Sequence, residues 1–421
     1  MKIRKLILPI LMALLVLTGC TTGSPAPIVG SPRTRSPGSL FQGVADGVYS
    51  LVEDQGPRPI PVLYRAGNSR RAKHEPYEGA YIGAWLSYGA CLRMFEYQAG
   101  KRHAVYVHEM NLGDNIPVTW ILHCIAAQAT PLFIIHPPIS NEESTPAEMV
   151  IYLAQRLGAF NLPIMVAFYP ADGHGMTPAE YTIMFRYARA VFLAHAPLAA
   201  FVWVATDGQA TPQNPFYPGH DAVDWVGLPL LAGRGKDGEK ADILSELENF
   251  YMAFQAYKPI MLLPLGISHF SRGDYTYRIN EAAEGIRRVY NALQNFPRVR
   301  LIVYADGFTL SPSNPSDFSI STEESLTNAY KDAISRNHFL SALETNTHAA
   351  PRWVRSAFHG YYWEGRIYVN PRTLQDELNT PPPRQSAEIN AQNFIESRHL
   401  TTLNIKTCPE QQVIFIDGLL D

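Results

Sequence analysis

The sequence predicts an α/β fold: a closed (β/α)8 TIM barrel followed by a small C-terminal α+β module. Three observations predict it. Eight short apolar runs recur between Tyr81 and Ala305 without polar alternation, as parallel strands buried on both faces require. Amphipathic stretches of helical period lie between most of them. No Gly-rich phosphate loop follows the first run, which argues against an open doubly wound sheet. A chain of 421 residues also suits a barrel of about 250 residues with a smaller unit beside it.

The chain opens Met-Lys-Ile-Arg-Lys, is apolar from Leu6 to Leu17, and reaches Leu17-Thr18-Gly19-Cys20 before turning rich in Ser, Pro and Gly. The apolar run is shorter than the about 20 residues a spanning helix needs, so residues 1–19 read as a secretory signal peptide. The "LTGC" stretch resembles a bacterial lipobox. It implies cleavage before Cys20, lipidation of that thiol, and a protein held by acyl chains to the membrane at the bacterial cell surface or envelope. Losing Lys2, Arg4 and Lys5 takes the formal net charge from -3 to about -6, which leaves no basic surplus for nucleic acid. Residues 20–56 have the composition of a flexible tether.

The barrel is expected over residues 57–335. Its strands are placed at Tyr81–Leu86, Ala104–Met110, Pro131–His136, Pro163–Tyr169, Ala200–Ala205, Val223–Leu231, Pro259–Leu265 and Val299–Ala305. After the fourth, Thr177-Pro178-Ala179-Glu180 combines an N-cap, a first-turn proline and a capping-box glutamate. Tyr181, Met184, Phe185, Ala188 and Phe192 then share one helical face. Thr145-Pro146-Ala147-Glu148 repeats the start signal after the third strand. In the module, residues 336–421, "GYYWEGRIYVNPRTLQDELN" reads as a hairpin and a short helix. Pro381 to Pro383 break the chain, and "QQVIFID" reads as a strand. Cys91, Cys124 and Cys408 lack ligand spacing, so no metal or cofactor is expected; whether two of them pair is open.

Chemistry in such a barrel sits at the carboxyl ends of its strands. Those ends offer Trp85 and Tyr88; His108, Glu109 and Asn111; His136; Tyr169, Asp172 and His174; Trp203 and Asp207; and Tyr304 and Asp306. Flat rings among carboxylates and amides suit a sugar, which presents an apolar face and a fringe of hydroxyls. His103, His123 and His195 have no partner at ligand spacing and read as solvent or helix-surface residues.

Three phrases resemble glycoside hydrolase family 26: "FYPGHDAVDWVGLPL" (216–230), "KPIMLLPLG" (258–266) and "NPSDFSISTEESLTNAYKDAI" (314–334). The likeness runs from about Gly79 to Ser335. The family consists largely of β-mannanases, with some β-glucanases, and the resemblance implies a polysaccharide or cell-wall glycan as partner. It also implies a retaining mechanism with glutamates at the ends of strands four and seven, standing about 5–5.5 Å apart. Here those two positions fall on Ala171 and Pro264, neither of which can carry a proton or attack a carbon. Leu228-Pro229-Leu230 likewise makes the sixth strand apolar where the family is polar and aromatic. The family's phrase Glu-Met-Asn does occur, after His108 at Glu109 to Asn111, but on the second strand. The terminal module weakly resembles copper amine oxidase N-terminal-like modules, without a His or Cys cluster for copper.

The leading expectation is a lipoprotein whose mannanase-like barrel binds a glycan without cleaving it. An active hydrolase would need a displaced pair, Asp172 with Glu109 or Asp207. A third class is a protein-interaction scaffold with no affinity for sugar.

Overall fold

The computed structural model describes residues 56–66, 71–137, 146–169, 176–205, 211–234, 243–309, 315–344, 352–408 and 412–418. Eight parallel strands close on themselves: β1 (Ala80–Leu86), β2 (Val105–Asn111), β3 (Thr130–His136), β4 (Ile164–Phe168), β5 (Ala199–Val204), β6 (Trp225–Arg234), β7 (Ile260–Ser271) and β8 (Val299–Asp306). Each pairs with the next, and Leu301 of β8 lies beside Tyr81 of β1, so the sheet has no free edge in the barrel. The helices α1 (Leu92–Ala99), α2 (Val118–Ala127), α3 (Pro146–Gly158), α4 (Pro178–His195), α5 (Ile243–Phe254), α6 (Ile279–Ala292) and α7 (Glu324–Ile334) belong to the same chain order.

Side chains alternate across each strand. Val105, Val107, Leu132, Ile134, Val202 and Val303 fill the interior of the barrel. Tyr106, Phe133, Phe168, Phe201 and Ile302 belong to a second core that also contains the apolar faces of the helices. Both faces are therefore apolar, which is why the strands read as continuous hydrophobic runs. Helix α4 begins as its sequence predicts. Thr177 accepts from the Glu180 amide while the Glu180 carboxylate accepts from the Thr177 amide at 2.7 Å, and Tyr181, Phe185, Ala188 and Phe192 are buried.

Strand β7 departs from the expected pattern. Leu262 faces Leu228 and Ile302, whereas Leu265 faces Leu230 and Tyr304, so β7 carries one residue more than either neighbour over this interval. The interval contains Pro264, preceded by a cis peptide bond. Proline has no N–H for the ladder, and a bulge is how a central strand accommodates it. The strand then continues to Ser271, well past the Leu265 end that its composition suggests.

The amino-terminal floor of the barrel is sealed by residues 71–79. Lys73 Nζ donates to the carbonyls of Pro197 and Ala199 at 3.0 and 2.9 Å, and Trp225 Nε1 donates to the Lys73 carbonyl at 2.7 Å. The Glu75 side chain, 1% exposed, accepts from Ala72 N at 2.9 Å, pairs with Arg298, and lies 3.9 Å from Arg300 Nε. Gly79 adopts φ +73°, and a Cβ there would stand 2.4 Å from the His338 carbonyl oxygen, so only glycine fits. Past α7, Phe339–Leu340 pairs with Ala80 and Tyr81, carrying barrel contacts beyond Ser335.

Residues 58–66 were expected in the barrel but pair with the C-terminal module. Val62–Ala66 lies between Arg352–Arg355 and Val413–Gly418, with Leu403–Cys408 outermost. Arg58–Ile60 edges a second sheet, through Gly360–Trp363 and Arg366–Val369 to Gln392–Glu396 and Ala387–Ile389. Ile60, Val62, Val369, Leu374, Ile414 and Ile416 form a core common to both sheets. The hairpin turns at Glu364-Gly365, both at positive φ, as a two-residue turn demands. The module meets the chain just past α5, at Gln255. Its side-chain amide accepts from Arg355 N at 2.6 Å and donates to Arg355 O at 2.7 Å, completing a backbone edge with side-chain atoms.

Candidate functional site

The mouth of the barrel is built by the alternation described above. On β2, Val105 and Val107 point inward, so Glu109 does too; on β3, Leu132 and Ile134 bring His136 to the same face. The two meet: His136 Nε2 donates to Glu109 Oε1 at 2.6 Å, with the side chains 16% and 48% exposed. Tyr169, just past β4, stands edge-on to His136 at 5.8 Å between ring centroids. Trp85 of β1 and Tyr169 pack on the upper end of the interior core, each half-buried. A carboxylate, an imidazole, an indole and a phenol thus converge above strands β1 to β4. A half-exposed hydrogen bond adds about 1 kcal/mol to stability, so the chief effect of the Glu109–His136 contact is to fix both groups in orientation.

The rest of the mouth is poorer in chemistry. On β6, Leu228 and Leu230 face the helices. Pro229 alternates to the interior side, so the apolar wall expected from this strand is a single half-buried proline. Pro264 is buried within β7 rather than standing at its end. Asn111 lies at the rim, its amide and Nδ2 donating to Asp114 Oδ2 at 2.7 and 3.2 Å.

Five expected contacts fall elsewhere. Trp203 is fully buried and faces the helices, 4.9 Å from Tyr217 and 5.8 Å from Phe254 between ring centroids, so it is no stacking platform. His108 points outward as well, 4.9 Å from Trp120, and burial lowers its pKa. Asp306 is saturated: its carboxylate accepts from Ile320 N at 2.7 Å, Ser321 N at 3.1 Å and Ser321 Oγ at 2.7 Å, which makes it a loop anchor. Tyr304 is buried on the helix side. Tyr88 stands free in solvent after β1. Ala171, Asp172, His174, Asp207 and the lipidation candidate Cys20 lie outside the described residues.

His103 is a further correction. It is buried among Phe95, Tyr106 and Tyr330, with Nε2 2.8 Å from Tyr330 Oη and Nδ1 3.1 Å from the Lys101 carbonyl. Burial depresses its pKa to about 3, so it is a neutral core residue. His123 and His195 are exposed. Cys91 and Cys124 are free thiols, the first exposed and the second buried. Among the described residues no group of three His, Cys, Asp or Glu could hold a metal ion, and no helix is long and apolar enough to cross a membrane.

The phrase that best resembles a known family, 216–230, is mostly a clamp near the floor. Asp224 Oδ2 accepts from Phe201 N at 2.8 Å and from Arg189 at 3.0 Å, tying α4 to β5 at the start of β6. Tyr217 Oη lies 2.7 Å from His220 Nδ1 beside it.

The strand order and the residues gathered at its carboxyl end define a (β/α)8-barrel protein. No family model and no curated protein matches the chain. Among solved structures it is similar to a modular endo-β-1,4-mannanase of glycoside hydrolase family 26 from Cellulomonas fimi, with 12% identity, 68% of this chain and 81% of that one covered, and a TM-score of 0.46. A family 26 β-mannanase from Bacteroides ovatus gives 10% identity, coverage of 64% and 92%, and a TM-score of 0.44. A family 128 endo-β-1,3-glucanase from Amycolatopsis mediterranei, in complex with laminaritriose, gives 16%, 61% and 100%, and 0.39. The barrel stands on its own strand order.

Proposed function

We propose that this chain is an exported, lipid-anchored glycan-binding protein that does not cleave by the two-glutamate mechanism. One observation carries the reading. Trp85, Glu109, His136 and Tyr169 converge at the carboxyl end of the barrel, a hydroxyl-binding pair flanked by rings. Glycoside hydrolysis needs a proton donor and a second carboxylate on opposite sides of the bond. Of the described inward-facing strand-end residues only Glu109 is acidic, and Pro264 has no acid to offer. Anchoring is supported by the "LTGC" sequence at Cys20.

The experiment incubates purified protein with mannan, mixed-linkage glucan and peptidoglycan. Soluble oligomers of the bound polymer are expected to raise the melting temperature through mass action, without new reducing ends. Trp85→Ala removes that shift. Reducing ends that vanish in Glu109→Gln or Asp172→Asn would replace this reading with a hydrolase using displaced carboxylates. A melting temperature indifferent to every glycan would leave a protein-interaction scaffold instead. In cells, labelling by palmitate is expected to disappear in Cys20→Ser; labelling that persists would refute the anchor.

A further inference from the structure

Strand β7 overshoots the barrel. After Ser271 the chain turns and returns as Thr276–Tyr277, with Thr276 opposite Ser271 and Tyr277 opposite Phe270. Because β7 runs toward the mouth, this hairpin stands on the mouth's rim, across the barrel from β3. It presents two tyrosines to water, Tyr275 at 75% and Tyr277 at 57% exposure. Phe270 lies 6.0 Å from the first and 5.4 Å from the second, edge-on to both. Single exposed rings are ordinary. Two on one short hairpin, backed by a third and adjoining the barrel mouth, form a surface.

The hairpin is also held in place. Tyr275 has φ +54°, a left-handed conformation uncommon for a bulky residue. Asp274 fixes it: its Oδ1 accepts from Thr276 Oγ1 at 2.8 Å and Thr276 N at 3.3 Å, and its other oxygen pairs with Arg278. Beneath, the His269 side chain is 2% exposed, 3.2 Å from Asp317 Oδ2 through Nε2, and its ring lies 5.4 Å from Tyr277. Rings fixed before binding lose little freedom when a ligand covers them.

We propose that Tyr275 and Tyr277 form a second sugar-stacking platform, occupied by the far end of an oligosaccharide whose near end sits against Trp85 and Tyr169. This rests on the glycan-binding reading above. The flat apolar face of a β-linked hexose matches an exposed phenol ring, and Thr276 and Arg278 lie beside it for hydroxyls. Because the hairpin and the Trp85–Tyr169 cluster stand at the same end of the barrel, a linear chain laid across the mouth is the occupant.

The test is calorimetric titration of the full-length mature protein with β-1,4-manno-oligosaccharides of increasing length, from mannobiose upward. Affinity is expected to rise once the chain spans the mouth. Tyr275→Ala and Tyr277→Ala should each lower affinity for the long oligomers about tenfold, leaving mannobiose unchanged. The corresponding phenylalanine variants keep the ring and should bind as wild type. Equal loss at every length, or none at any length, overturns the platform. If Trp85→Ala abolishes binding while the tyrosine variants bind normally, only the platform fails. If the wild type takes up no manno-oligosaccharide, mixed-linkage gluco-oligosaccharide or peptidoglycan fragment of any length, the glycan-binding reading fails and the platform with it.

Discussion

Replacing Glu75 with alanine tests how the barrel floor is sealed. Its carboxylate is 1% exposed and serves Arg298 and Arg300, themselves 5% and 4% exposed. Burial lowers the pKa of Arg300, and Glu75 is the foremost charge opposing that shift. Alanine would leave two guanidinium groups in a site closed to water. An exposed pair lost in this way costs about 0–1 kcal/mol, whereas breaking a buried one costs about 3–5 kcal/mol. The Ala72 amide would lose its acceptor as well, a contribution of about 1 kcal/mol within that range. We therefore expect Glu75→Ala to lose about 3–5 kcal/mol in urea unfolding followed by tryptophan fluorescence, a large share of a typical domain's 5–15 kcal/mol. Glu75→Gln keeps the shape and should show how much of the loss comes from charge. Ligand affinity at the mouth should not change, since the floor is at the opposite end. A loss below about 1 kcal/mol in Glu75→Ala would refute the argument, because the guanidinium groups would then be finding water.

Two further outcomes follow from buried residues. His103 has a folded-state pKa near 3 against an ordinary 6.5, so between those values the unfolded chain binds the extra proton. Its contribution is whole above about pH 6.5 and is lost as the pH falls toward 3. By pH 5 the loss is about 2 kcal/mol, and denaturant titrations at pH 7 and 5 should show a smaller drop in His103→Gln than in wild type. Trp203→Ala should cost about 3–5 kcal/mol through the cavity it leaves, while the folded protein keeps its glycan affinity; a selective loss of affinity would return Trp203 to the site.

The eight strands were legible because parallel strands buried on both sides are continuous apolar runs, and α4 because its capping box is local in sequence. What those same runs conceal is direction. Where both faces of a strand are apolar, nothing in Phe201-Val202-Trp203-Val204 marks which side chains face the barrel axis, and an aromatic ring near the strand end does not by itself put Trp203 at the mouth. His108 and Asp306 also lie at strand ends but point away from the axis, whereas Glu109 and His136 share the inner face with Val107 and Ile134. The pairing of Val62–Ala66 with Val413–Gly418 joins segments some 350 residues apart, and no local pattern announces it. The Tyr275 and Tyr277 hairpin does leave a signal: turn-forming Gly273-Asp274 followed by aromatics at a spacing of two, a strand period.

That long-range pairing changes how the chain's architecture is to be understood. The terminal β-module is the host, and the barrel is a guest spliced into it between Ala66 and Arg352. A single cut near residue 335 cannot separate them, because it would strand Val62–Ala66 without either neighbour. Removing the guest takes two cuts and a linker joining Ala66 to Arg352, whose strands already lie side by side.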